Sequence, residues 1–161
     1  MTKLLSLLAL FGTIAAAQAQ TLTVSLSGAN ERPTGNSSTA TGTGSLIITD
    51  SLLTYSVSYA GMSPTAAHIH GPAVQDATAG VMIPLTLSSS SGTSGLFSGT
   101  ATLSATQKTD ILAGNSYVNI HSASFPAGEI RGQVALIPEP GTVALLGLGG
   151  IALLAKARRR K

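Results

Sequence analysis

The stretch Leu53-Thr54-Tyr55-Ser56-Val57-Ser58-Tyr59 alternates large apolar residues with small hydroxyl-bearing residues at every position. Successive side chains of a β-strand point to opposite faces, so this period of two predicts a strand with one buried and one solvated face. The same pattern recurs along the chain over 22–26, 46–48, 66–70, 81–87, 95–103, 117–121 and 129–136. The intervening segments, including 33–44 and 88–95, are rich in Gly, Ser, Thr and Pro and are predicted as loops or turns.

One segment breaks the alternation. Ser104 is a suitable helix N-cap, residues 105–113 suit a short helix, and Gly114 suits its end. We therefore predict an all-β domain, an antiparallel Greek-key-like β-sandwich or flattened barrel of about seven or eight strands with one short helix. A parallel α/β sheet is disfavoured, because strands that are buried on both faces read as continuous apolar runs.

The first 19 residues have the three parts of a secretory signal peptide. Lys3 gives the positive start, an apolar run follows from Leu4 to Ala17, and Ala17-Gln18-Ala19 provides a cleavage site before Gln20. We predict a signal helix over 1–19 that is removed on export.

The last 25 residues, 137–161, form a second terminal signal. Pro138-Glu139-Pro140 is followed by an uncharged apolar stretch over 141–155 and then by five cations within 156–161. As a helix the apolar stretch would reach ~23 Å at ~1.5 Å per residue, which is short for a ~30 Å bilayer core unless flanking residues contribute. We predict a transmembrane helix with its basic tip in the cytoplasm, so that the domain faces outward.

This tail resembles the PEP-CTERM sorting signal of Gram-negative bacteria, with Pro138, Glu139 and Pro140 as the sorting motif. The resemblance implies inner-membrane anchoring, either transient or stable, and processing near the motif by an exosortase-type enzyme. It also implies a final location at the cell surface or in the extracellular matrix, with an exopolysaccharide or a matrix protein as partner. The alternative is a plain C-terminal membrane anchor.

The charge of the central region argues against nucleic-acid binding. Six of the nine basic residues lie in the two terminal signals, which leaves three basic and five acidic residues over 20–137 and a net charge of −2. A domain that neutralises phosphates needs a basic face, and this one has none. Cysteine is absent from the chain, so neither a disulfide nor a thiolate metal site is present.

All three histidines of the chain lie in predicted strands. His68 and His70 are two residues apart and share a strand face, and His121 shares a face with other polar residues of its own strand. If these strands are neighbours, three imidazoles and the carboxylate of Glu129 would gather on one polar surface, a ligand set that suits zinc or copper. The alternative is a structural role, in which the histidines bond to strand backbone or carboxylates and Glu129 pairs with Arg131.

Other catalytic patterns are missing from the sequence. No Gly-x-Ser-x-Gly nucleophile elbow and no phosphate-binding glycine loop occurs in it. We therefore predict that the protein is not an enzyme.

Several blocks in the region 20–136 resemble the CHRD domain in the family's order. They are Ser27-Gly28-Ala29-Asn30-Glu31, Leu53-Thr54-Tyr55-Ser56-Val57, Ala66-Ala67-His68-Ile69-His70-Gly71-Pro72-Ala73, Tyr117-Val118-Asn119-Ile120-His121 and Gly128-Glu129-Ile130-Arg131-Gly132-Gln133. This resemblance implies a secreted all-β domain. The His68-Ile69-His70 block is also similar to the His-x-His copper strand of copper–zinc superoxide dismutases, although the chain lacks that family's cysteines and has too few histidines for two metals.

Two functions follow from these observations. The first is an exported, surface- or matrix-associated domain with a non-enzymatic binding or structural role. The alternative is a copper- or zinc-binding domain that uses His68, His70 and His121 and is redox-active when it holds copper.

Overall fold

The computed structural model describes residues 18–137. Within them the chain forms ten antiparallel strands in one continuous sheet and one α-helix. The strands are β1 (Gln20–Ser27), β2 (Thr41–Thr49), β3 (Leu52–Ala60), β4 (Pro64–His70), β5 (Val81–Pro84), β6 (Leu87–Ser91), β7 (Ser94–Thr102), β8 (Tyr117–Ser122), β9 (Ile130–Gln133) and β10 (Ala135–Leu136), and the helix is α1 (Ala105–Leu112).

The sheet is an open, curled half-barrel with the strand order β5-β4-β8-β9-β1-β2-β3-β7-β6, and β10 pairs with β1 beside β9. The predicted all-β, antiparallel class with one short helix is confirmed. The continuous sheet differs from the two separate sheets of a sandwich because β1 pairs with β2 along its whole length and with β9 and β10 on its other side.

The described residues contain ten strands where seven or eight were predicted, because two of the sequence runs divide. The run over 81–87 first forms β5, which pairs with β4, and then enters β6, which pairs with β7. Only Leu85 and Thr86 separate β5 from β6. Val134 separates β9 from β10, and its backbone N–H donates to Ser116. The predicted serine-rich turn over 88–95 is wrong, since most of it forms the β6–β7 hairpin around Gly92 and Thr93.

The core lies inside the curl and is made by alternate residues of the strands. In β3 the apolar residues of the stretch Leu53–Tyr59 are at most 3 % exposed, and the Thr and Ser residues between them are exposed. Ile69, Ile120 and Ile130 extend the core under β4, β8 and β9, and each is fully buried. The alternation therefore identified the two faces of these strands correctly.

Helix α1 has the ends that the sequence predicts. The Ser104 hydroxyl accepts a hydrogen bond from the Gln107 backbone N–H at 3.2 Å, and the Gln107 side chain accepts one from the Ser104 N–H at 2.9 Å. This reciprocal pair satisfies two amide groups at the helix start. Gly114 follows the helix with a φ of 75°, a conformation that glycine adopts without strain.

A segment over 71–80, here called the strap, crosses the outer face of β4, β8 and β9. Side chains of these strands bond to backbone atoms of the strap, so the outer face at this position is buried and polar. The strap acceptors are the carbonyl oxygens of Ala73, Gln75, Ala77 and Ala79.

The predicted signal helix lies almost wholly outside the described residues. The predicted transmembrane helix and the sorting motif lie entirely outside them. Among the residues that the structure describes, no helix is both long enough and apolar enough to span a bilayer.

Candidate metal centre

The three histidines meet on the outer face where β4 and β8 pair. The antiparallel register places His68 opposite Asn119, His70 opposite Tyr117 and Ala66 opposite His121. The residues between them, such as Ile69, are in the core, so the pleat turns all three imidazoles to the other side. The structure therefore brings His68, His70 and His121 together, as the sequence predicted for the case in which their strands are neighbours.

The cluster is compact enough for one ion. Each histidine offers one ring nitrogen, and these three atoms all lie within 4.8 Å of one another. His68 Nδ1 and His121 Nε2 are 3.2 Å apart and share one hydrogen bond. Ring centres are 5.1 Å apart for His68 and His121, 5.5 Å for His68 and His70, and 5.9 Å for His70 and His121.

Two of the rings are oriented by backbone carbonyls. His70 Nδ1 lies 3.0 Å from the carbonyl oxygen of Ala79 in the strap, and His121 Nδ1 lies 3.1 Å from that of Pro126. A carbonyl only accepts, so both Nδ1 atoms carry the proton and both Nε2 atoms are unprotonated, and the Nε2 of His121 accepts from His68 Nδ1. The Nε2 of His70 is buried and has no partner among the described residues. Histidine ligands in metal sites are held by the same kind of outer hydrogen bond.

The surroundings of His68 and His70 favour the neutral form of both rings. Burial lowers the pKa of His68, and the neighbouring His121 and His70 lower it further. Burial also lowers the pKa of His70, against an opposing effect of its bond to Ala79. Ligation requires neutral imidazole, so these shifts favour the binding form of these two residues near neutral pH.

The donor set fits zinc or copper. Three imidazole nitrogens with no fourth protein ligand leave one open position, an arrangement that both metals accept. Within residues 18–137 no carboxylate joins the cluster. His68 and His121 are only partly buried, so the cluster is accessible from solvent.

Glu129 and Arg131 do not behave as the sequence predicted. Glu129 Oε1 accepts from the Ser38 hydroxyl at 2.7 Å, so it is neither near the histidines nor paired with Arg131. Arg131 instead donates to two strap carbonyls. In the part of the chain that the structure describes, the one ion pair is Arg32 with Asp76, at 2.9 Å.

Tyr117 links the cluster to Arg131. Its ring stacks on that of His70 with centres 5.0 Å apart and planes 5° apart. The guanidinium carbon of Arg131 lies 3.5 Å from the centre of the same ring. The Tyr117 hydroxyl accepts from the N–H of Ala79 and donates to its carbonyl, so it also anchors the strap residue that orients His70. The sequence had indicated no role for Tyr117.

Sequence analysis missed a buried acid–amide pair beside the cluster. Glu31 enters from the turn after β1 and is 7 % exposed, and its Oε2 accepts from Asn119 Nδ2 at 3.4 Å. Burial raises the pKa of Glu31 to about 7, although the nearby Arg131 and the bond from Asn119 lower it. In the sequence, Glu31 stands out only as part of the block Ser27–Glu31. Nothing in that block indicates a partner 88 positions away.

Fold and site together define an antiparallel β domain with a three-histidine cluster on its outer face. A sequence model of the CHRD domain matches residues 22–134, and one of the PEP-CTERM protein-sorting motif matches residues 136–161. The first match covers more than half of the chain, so this chain belongs to the CHRD domain family. No curated protein and no solved structure matches it.

The resemblances to the CHRD domain and to the PEP-CTERM signal are confirmed by these matches. PEP-CTERM signals mark exported proteins of Gram-negative bacteria and imply processing by an exosortase. The chain is therefore an exported CHRD domain protein.

Proposed function

We propose that this protein is a non-enzymatic, cell-surface or matrix-associated domain that binds one copper or zinc ion through His68, His70 and His121. The observation that carries the proposal is the convergence of three ring nitrogens within 4.8 Å of one another. Two of the rings are already fixed by backbone carbonyls, so little side-chain entropy is lost when an ion binds.

A non-enzymatic role is supported by what surrounds the cluster. Hydrolysis by a metal-bound water commonly uses a carboxylate as general base, and within residues 18–137 no acidic group joins the three histidines. The exopolysaccharide or matrix-protein partner stays a prediction. The strap covers part of the outer face of β4, β8 and β9, whereas the Ser and Thr side chains of β2 and β3 remain exposed to such a partner.

The test is elemental analysis and titration with Cu and Zn of the exported protein, purified without a histidine tag. We expect close to one ion per chain, and we expect His68→Gln and His70→Gln to abolish tight binding. Thr65→Ala is the matched control, because Thr65 lies on the same strand, is exposed and contributes no ligand. Circular dichroism would verify that each variant folds.

Two results would contradict the proposal. One is a wild-type protein that takes up neither metal above the level of the His70→Gln variant. The other is a folded His70→Gln variant that retains one tightly bound ion. Either result would assign the histidines to the fold alone.

A further inference from the structure

Arg131 is a buried cation without a counter-ion at contact distance. Its side chain is 2 % exposed, and its Nη2 donates to the carbonyl oxygens of Gln75 at 3.1 Å and Ala77 at 2.7 Å. The guanidinium also lies over the Tyr117 ring. Among the described residues it forms no ion pair, so neutral dipoles alone contact this positive charge.

This charge lies close to the histidine cluster. The guanidinium carbon is 3.5 Å from the Tyr117 ring centre, which is itself 5.0 Å from the ring centre of His70. The distance from the guanidinium carbon to the His70 ring centre is therefore at most the sum of these two distances. The buried ring of Tyr117 lies between the two groups. Burial lowers the pKa of Arg131, but a guanidinium is such a strong base that it remains charged throughout the physiological range.

The ligand set does not offset that charge. Three neutral imidazoles leave a bound ion with its full charge, and no carboxylate belongs to the cluster within residues 18–137. Of the acids near Arg131, Asp76 is exposed and pairs with Arg32, and Glu31 contacts Asn119. Because burial raises the pKa of Glu31 to about 7, much of it is neutral at neutral pH.

We propose that the buried Arg131 cation biases the three-histidine site toward copper(I) and against divalent ions. The guanidinium repels each added unit of positive charge on the metal ion. At the distance between Arg131 and His70 and an effective dielectric constant of ~20, this repulsion lowers the affinity about tenfold. The same effect stabilises copper(I) relative to copper(II), by about 59 mV per factor of ten for a one-electron couple. This inference rests on the proposed metal-binding function.

The test compares Arg131→Gln with Arg131→Lys in the full exported protein. Copper(I) affinity is measured anaerobically against a colorimetric chelator, zinc affinity by competition with a fluorescent chelator, and the copper potential at an electrode. Removing the charge should raise the zinc affinity relative to the copper(I) affinity about tenfold and lower the potential correspondingly. Arg131→Lys keeps the charge and should keep the wild-type ratio.

A second control separates charge from loosening of the strap. Gln133 donates to Ala73 and to Gly114 and is uncharged, so Gln133→Ala weakens the strap without changing the field at the site. The affinity ratio should stay at its wild-type value in this variant. A ratio unchanged in Arg131→Gln, or shifted equally in Gln133→Ala, overturns the inference while leaving metal binding intact. Failure of the wild-type protein to bind either ion overturns the proposed function and the inference together.

Discussion

At the scale of single residues, Glu31 and Asn119 form a pair whose chemistry depends on one proton. Asn119 Nδ2 donates to Glu31 Oε2, while Glu31 Oε1 and Asn119 Oδ1 are buried without partners. Both unpartnered oxygens lie within 2.8 Å of the position that a Cβ on Gly128 would take, so that position must be glycine. Burial removes water from the carboxylate, and this desolvation favours the neutral acid.

Glu31→Gln should change how stability depends on pH. In the wild-type protein the folded pKa of about 7 lies above the ordinary value of 4.5, so the folded state holds the proton more tightly. This contribution to stability is complete below pH ~4.5 and is lost as the pH rises toward ~7. Glutamine supplies an N–H donor at every pH. We therefore expect the variant to match the wild type near pH 5 and to exceed it at pH 8 by on the order of 2 kcal/mol.

Urea unfolding of both proteins from pH 4.5 to pH 8.5 would measure this difference. The two proteins differ only at position 31, so subtracting one curve from the other isolates the contribution of Glu31. Curves that run parallel over the whole range would show that Glu31 is ionised at no cost in the folded protein.

At the scale of elements, the strap supplies the outer face with acceptors. The carbonyl oxygens of every second residue from Ala73 to Ala79 receive hydrogen bonds from sheet side chains. The strap is not extended throughout, because Gln75 and Asp76 form a turn in which the Ala77 N–H donates to the Val74 carbonyl oxygen at 3.0 Å. Arg131 and Tyr117 are buried and Gln133 is half-buried beneath the strap, and His70 gains its fixed orientation.

The cap of helix α1 offers a test of local structure. Ser104→Ala removes the acceptor for the Gln107 N–H and breaks the reciprocal pair, so we expect a loss of about 1 kcal/mol in the free energy of unfolding. Thermal or urea unfolding would measure it. Thr106 lies within α1, two residues after Ser104, and is exposed, so Thr106→Ala should change the free energy of unfolding by less than ~0.5 kcal/mol. Equal losses in the two variants would mean that the cap contributes nothing specific.

At the scale of the whole molecule, the domain is joined to a sorting motif. The CHRD match ends at residue 134 and the PEP-CTERM match begins at residue 136, so the motif directly follows the sheet. Described structure ends at residue 137, just before Pro138, Glu139 and Pro140. Processing near this motif would release the domain with all ten described strands intact.

Replacing the sorting motif should keep the tail attached. We expect the wild-type exported protein to lack its basic end and a variant with Pro138, Glu139 and Pro140 changed to Ala to retain it, because the processing enzyme recognises the motif. Intact-mass measurement of the protein from membrane and extracellular fractions would check this. The variant should accumulate in the membrane fraction. Identical masses for the two proteins would contradict processing at this motif.

The sequence by itself determined most of the strands, their inner and outer faces, the short helix and the family. The alternation in β3 and the cap at Ser104 express local properties of the backbone, so they are readable without knowledge of the fold. The same reasoning placed His68 and His70 on one face and His121 on the polar face of its strand. The convergence of the three was conditional on two strands being neighbours, and the sequence offered no means to decide that.

Only the tertiary structure decided which strands pair and what covers them. The pairing of β4 with β8 brings together His68 and His121 from 53 positions apart, and Glu31 reaches Asn119 across 88 positions. Pairing depends on chain closure and on burial summed over the whole sheet, neither of which leaves a periodic trace in the sequence. For the same reason the division of the run over 81–87 between β4 and β7, and the role of Arg131 under the strap, became visible only in the folded chain.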